Sequence, residues 1–300
     1  MKARSFIVLL GILISFPSCS LNNSLNTNQH ELDPNFGEYW YQGKAELASY
    51  DLQQVRYGEI REGHAALIFV TEDFSRSKQV KLDYPIKNES DVVKVIKLNF
   101  TKKFTTGIYP YSTMTSVFTP IYLNDDPKTI KLTTSSQEWC GHTFLQANFK
   151  NNSYQIQGYS YFESEGDQNY SVDGVIMEDE VWNRIRLNPE ELPTGKLEML
   201  PGSLFCRFKH VAFKPEQVVA KMEEGNGTTR QYQLHYPEIK RTLKIEFNST
   251  FPFEIQGWEE TYPEGDQLMT TRASLKKAVQ LDYWNKNSNA DEYLRSELGI

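Results

Sequence analysis

Tyr154-Gln-Ile-Gln-Gly-Tyr159 and Phe253-Glu-Ile-Gln-Gly-Trp258 share an Ile-Gln-Gly-aromatic core, and each leads to one tetrapeptide, Glu165-Gly-Asp-Gln168 or Glu264-Gly-Asp-Gln267. Both matches lie 99 residues apart, which marks a duplicated unit. Upstream, 144–149 aligns loosely with 243–247, and downstream Trp182-Asn183 is echoed by Trp284-Asn285. The repeats then run over about 126–186 and 228–286.

Leu145, Ala147 and Phe149 alternate with polar residues, as do Leu243, Ile245 and Phe247. Period two is the signature of a strand with one buried face. Lys150-Asn-Asn-Ser153 and Asn248-Ser-Thr250 read as turns into the next strands. Gly158 and Gly257 fall inside those strands and predict a bulge or a close backbone approach. Glu165-Gly166-Asp167 and Glu264-Gly265-Asp266 predict hairpin tips.

The same reasoning extends outward. Ala65–Val70 and Gln79–Leu82 predict a hairpin whose loop is 71–78. Val218, Ala220 and Met222 share a face and return through Gly225-Asn-Gly227 to Tyr232, Leu234 and Tyr236, with a helix over 216–224 as the rival. Short helices are expected at about 173–185, entered at Asp173, and about 290–298, entered at Ser288 or Asn289. The expected fold is mainly β: an antiparallel sheet, sandwich or half-barrel built from the duplicated unit, with two short helices.

The N-terminus carries a different signal. Lys2 and Arg4 precede an apolar run, Phe6 to Phe16. That run is about a dozen residues, enough for a signal-peptide core and too short to span a bilayer. Pro17-Ser18-Cys19 follows and resembles a bacterial lipobox, with Phe16 where Leu is usual. Residues 1–18 are therefore expected to be cleaved, with Cys19 as the lipidation site. Residues 19–36, rich in Asn, Ser and Leu, are the expected tether, and 37–300 the folded body. The expected location is the cell envelope, on the outer membrane, with the membrane as a partner through the lipid anchor.

Loss of residues 1–18 removes Lys2 and Arg4 and takes the formal charge from −7 to −9. So acidic a body has no attraction to nucleic acid. With Cys19 acylated, Cys140 and Cys206 remain, expected either as a disulfide or as two buried thiols.

Chemical motifs are sparse. Trp139-Cys-Gly-His142 resembles the start of a thioredoxin-type motif, but Thr143 stands where the second cysteine belongs. The five histidines show no ligand spacing. Glu163, Glu165 and Asp167, with Glu264 and Asp266 in the second copy, are candidate calcium ligands or solvated tips. Trp40, Tyr109, Tyr111, Tyr159 and Trp258 are candidates to line a ligand groove or stack on sugars, against a core role. No nucleophile elbow, phosphate loop or dinucleotide fingerprint is present, and no cofactor is expected.

Tyr39-Trp40-Tyr41-Gln42-Gly43-Lys44, Thr106-Gly107-Ile108-Tyr109-Pro110-Tyr111, Gln137–Gly141, Ser160–Gln168 and Tyr283–Ser288 together resemble a family of Bacteroidota lipoproteins. Some members carry the label septum formation inhibitor Maf. That label implies a cytosolic nucleotide pyrophosphatase with an α/β fold, and none of that enzyme's functional residues has a counterpart here. The expectation is an envelope lipoprotein without catalytic activity, binding a hydrophobic or glycan ligand or an envelope protein. The alternative is a hydrolase using Glu163, Glu165, His142 and Asp266, or the pyrophosphatase that the label implies.

Overall fold

The computed structural model describes residues 32–83 and 89–300. The signal peptide, Cys19 and most of the expected tether lie outside the described residues. Among those described, the fold is mainly β, with four short helices. β1 (Ala45–Arg56), β2 (Glu59–Ser75), β3 (Val80–Lys81), β4 (Val92–Thr106) and β5 (Tyr109–Pro120) come first, after α1 (Phe36–Trp40). β6 (Lys131–Glu138), β7 (Gly141–Lys150), β8 (Ser153–Ser160), β9 (Gln168–Asp173) and β10 (Ile176–Met177) lead to α2 (Glu178–Leu187). β11 (Gly195–Leu200) and α3 (Ser203–Lys209) precede β12 (Glu216–Glu224), β13 (Thr229–Tyr236), β14 (Arg241–Asn248), β15 (Ile255–Glu264) and β16 (Gln267–Leu281). α4 (Tyr293–Leu298) ends the chain.

All strands join one open sheet in the order β10-β11-β12-β13-β14-β15-β16-β1-β2-β4-β5-β6-β7-β8-β9, with β3 beside β2. Every pairing is antiparallel except the short one between β10 and β11. The two outermost strands, β9 and β10, are consecutive in the chain and separated only by Gly174 and Val175. Three residues reach at most about 10 Å. The sheet therefore curls until its edges nearly meet, and a seam without ladder hydrogen bonds remains between them.

Alternation builds the inner face. Arg241, Leu243, Ile245 and Phe247 of β14 are buried while the residues between them are not. Tyr50 and Leu52 of β1, Leu98 and Phe104 of β4, and Tyr232, Leu234 and Tyr236 of β13 join the same core. α2 fills part of the interior and is buried nearly all round, charged residues included. Its Asn183 Nδ2 donates to the carbonyls of Ile96 and Val117, and its Arg186 pairs with Glu46 of β1.

Antiparallel strands sort the connections into two ends. One end, the rim, carries the turns at 57–58, 107–108, 139–140, 161–167 and 265–266, together with α3. The other, the base, carries 76–79, 151–152 and 225–228, and the chain enters there before β1. A twelve-residue strand such as β1 holds the two ends about 40 Å apart.

Several expectations are corrected. The body begins before residue 37: Phe36 is buried and Leu32 packs on the core. The helix expected from Asp173 begins at Glu178, because Asp173 is held in β9 by pairing with Ser153. Residues 216–224 form β12 rather than a helix. β2 continues to Ser75, so the expected 71–78 loop shrinks to a tight turn. The C-terminal helix begins later than expected, at Tyr293, and the Ser288–Asp291 capping box instead opens a 3-10 turn over Asn289–Asp291 ahead of it. α1 and α3 were not expected. The α/β fold implied by the family label is absent among the described residues, where parallel pairing is confined to two residue pairs.

Candidate functional site

A cleft with a mostly apolar lining opens at the seam. Its walls are the faces of β7, β8 and β9 on one side and α3 with its following loop on the other, and it encloses about 230 Å³. Phe144, Leu145, Tyr159, Tyr170, Val211 and Phe213 supply the apolar lining. The Tyr170 hydroxyl donates to the Phe213 carbonyl at 3.0 Å and ties the two walls together.

Local sequence explains the wall. Pro201-Gly202 ends β11 and lets the chain turn into α3, whose first backbone N–H, at Ser203, donates to buried Asp179 Oδ2 at 2.9 Å. Such a bond satisfies an orphan donor of the first turn. α3 closes at His210, which adopts the left-handed conformation (φ 53°) while Val211 N–H returns to the Cys206 carbonyl. Histidine tolerates this conformation better than most residues. Here it swings the imidazole toward the β8–β9 loop.

That loop brings Glu165. Its Oε1 accepts from Arg207 Nη1 at 2.9 Å and meets His210 Nδ1 at 2.6 Å, while Oε2 accepts from Ser160 Oγ at 2.6 Å. Arg207 also donates to Thr143 Oγ1 at 3.0 Å and lies 4.4 Å above the Phe162 ring. Burial lowers the Arg207 pKa against the pull of Glu165. With Nδ1 on the carboxylate, His210 Nε2 keeps its own hydrogen-bonding capacity, and it has no protein partner among the described residues. The cleft thus offers an apolar floor and a fixed polar corner. It holds no activated nucleophile. Burial pushes the Cys206 thiol well up, and Ser160 spends its proton on Glu165.

A second, interior space of about 40 Å³ lies between α2 and α3, lined by Lys102, Asp179, Trp182, Trp258 and Glu260 among others. It has room for about one water molecule. Around it, Glu178 and Glu260 both pair with Arg241.

No family model, curated protein or solved structure matches this chain. The site is therefore read from its geometry alone.

The candidate aromatics separate. Tyr159 lines the cleft, Tyr109 sits on the rim, Tyr111 and Trp258 are buried, and Trp40 is buried at the base, where Arg186 lies over its ring. The candidate calcium ligands do not converge: no group of three or more His, Cys, Asp or Glu is placed to hold a metal among the described residues. Glu165 is committed to Arg207 and His210, and Glu264 to Lys209 and the Gly58 N–H, while Glu163, Asp167 and Asp266 have no side-chain partner there. The hydrolase set is likewise not assembled, since His142 and Asp266 make no bond to Glu165. Of the two expectations, the disulfide is not formed and both thiols are free, but only Cys206 on α3 is buried, while Cys140 lies on an exposed hairpin tip. A hydrogen bond to Glu138 and its charge raise the Cys140 pKa, the reverse of redox activation.

Sequence reasoning missed Arg207, His210 and α3 itself. Phe205 and Phe208 stand at helical spacing just after Pro201-Gly202, which is the local signal. It spans only two turns.

Proposed function

We propose that this chain is a lipid-anchored, non-enzymatic binding protein of the bacterial cell envelope. Its seam cleft takes one small group that has an apolar face and hydroxyls or carbonyls at its edge. The observation that carries this reading is the Glu165–Arg207–His210–Ser160 corner set against aromatic walls in an open cleft. Pockets that bind small molecules combine a mostly apolar lining with a few fixed polar groups. At about 230 Å³ the cleft suits a group of one ring, such as a single sugar unit, rather than a whole lipid. The signal-like leader and Cys19 support the anchored placement. The chain enters the body at the base, the end opposite the rim, which is compatible with an anchor on that side.

Calorimetry of the mature protein against monosaccharides and short-chain amphiphiles tests the reading. Saturable binding that Arg207→Ala abolishes supports it. Heat changes identical in wild type and variant would sink it. Mass spectrometry of the mature N-terminus tests the anchor: a free Cys19, or an intact leader, removes it.

A hydrolytic reading rests on the Glu165–His210 contact, which could orient the imidazole as a base toward water. Turnover of ester or glycoside substrates lost in His210→Ala would favour it over binding.

A further inference from the structure

We propose that the rim is a second binding surface, an aromatic ledge that holds an extended neutral glycan. Four hairpin tips on neighbouring strand pairs present Tyr57, Tyr109, Trp139 and Tyr161. Tyr57, Trp139 and Tyr161 are 53 %, 69 % and 70 % exposed. Successive tips stand two strand spacings apart, about 10 Å at the backbone, and the rings lean together across these gaps, with Tyr109 and Trp139 6.4 Å apart. Four ring faces in succession suit several linked units, not one.

The rings are exposed but not loose. Tyr57 and Tyr111 share a 2.7 Å hydroxyl contact, and the Arg56 guanidinium bonds to both from beneath, itself anchored on the Phe208 carbonyl at 2.7 Å. Tyr109 lies 6.4 Å from Trp139 with the planes tilted by 31°. Tyr161 packs against Gly141, where a Cβ would fall 2.7 Å from the ring. Beyond it, Tyr161 meets Phe162, which meets His210 at the mouth of the cleft. Rings pre-positioned in this way bind with little loss of side-chain entropy.

Charge selects the occupant. Glu163 and Asp167 share the 161–167 tip with Tyr161, Asp266 lies on the 265–266 tip, none has a side-chain partner among the described residues, and the whole chain carries a formal charge of −7. Anionic lipid, nucleic acid and sulfated polymers are repelled. Sugar rings supply what the ledge lacks: C–H faces that sit on the electron-rich face of an aromatic ring, and hydroxyls that donate to carboxylates. The rim also lies at the end opposite the chain's entry, turned from an anchoring membrane. This inference does not rest on the cleft, since the ledge could hold a polymer whether or not the cleft is filled.

The test uses the full acylated protein in a detergent without a sugar headgroup, with neutral hexasaccharides of glucose, mannose, xylose and N-acetylglucosamine as probes. One of these should change Trp139 fluorescence, and Trp139→Ala and Tyr161→Ala should each weaken its binding at least about tenfold. Trp284→Phe, altered at the base, should leave it unchanged. Near-UV circular dichroism confirms that the variants are folded. The idea is overturned if no hexasaccharide binds, if the rim variants bind as well as wild type, or if brominated lipids in proteoliposomes quench Trp139, which would make the rim a membrane contact.

Discussion

Arg186 of α2 and Glu46 of β1 meet as a two-pronged ion pair inside the sheet, each side chain 1 % exposed. The Tyr39 hydroxyl also donates to Glu46, and Arg186 Nε donates to the Pro252 carbonyl at 2.8 Å. The pair therefore fastens α2 to the first strand, 140 residues away in sequence.

Removing one partner leaves the other charge buried and unpaired, which typically costs about 3–5 kcal/mol. Arg186→Met should lower stability by that amount in urea unfolding. Adding Glu46→Leu should recover much of the loss, although Tyr39 then loses its acceptor. If the double variant is no more stable than Arg186→Met alone, the pair is not what α2 depends on.

Asp179 gives a pH dependence with a definite sign. Burial, then the nearby Glu178 charge, raises its pKa from 3.8 to about 7, against the opposing Ser203 bonds and Arg241. Between about pH 4 and 7 the folded state keeps a proton that the unfolded state has released, so this group's contribution to stability falls as pH rises through that window. Asp179→Asn keeps an acceptor for the Ser203 N–H and removes the titration. Thermal unfolding of wild type should weaken relative to Asp179→Asn from pH 5 to pH 8. Parallel curves across that range would rule Asp179 out as the titrating group.

The same helix shows what sequence could and could not disclose. Alternation along Arg241–Asn248 and the turn at Asn151-Asn152, both at positive φ, needed only local information. Glu178, Asp179 and Glu180 read locally as a solvated helix face, yet all three are buried. Their partners, Arg241 on β14, Ser203 on α3 and Thr129 before β6, are brought near only when the sheet curls. The seam cleft was hidden for the same reason. Its walls come from strands at one edge of the sheet and a helix attached to the other. Glu165 was noticed for its charge, but its partners Arg207 and His210 lie over 40 residues on, in a segment whose prolines suggested only a connection.

The thiols supply a count. Cys140 is exposed and Cys206 buried. Protein acylated at Cys19 should therefore take up one equivalent of a thiol reagent when native and two when denatured. Because Glu138 raises the Cys140 pKa above 9.0, labelling at pH 8 should be slower than for free cysteine and faster in Glu138→Gln. Non-reducing electrophoresis showing a compact species that reduction removes would contradict the free-thiol assignment.

Gly158 and Gly257 hold the same position in the repeated Ile-Gln-Gly-aromatic sequence but pair differently, Gly158 with Gln168 and Gly257 with Ser274, which makes a useful comparison. At Gly257 a Cβ would lie 2.4 Å from the Ala273 carbonyl oxygen, a backbone atom of β16 that cannot swing aside. The β14–β15 register slips next to it, between Glu246 and Phe247. At Gly158 a Cβ would lie 3.6 Å from Gln168 Cβ, an ordinary contact. Gly257→Ala should therefore destabilise by about 1–3 kcal/mol through overpacking. Gly158→Ala should be neutral or stabilising by up to about 1 kcal/mol, since alanine restricts the unfolded chain. Urea unfolding of the two variants decides it. Equal losses would mean that both glycines meet the same constraint, and the close approach of β16 would then not explain the glycine at 257.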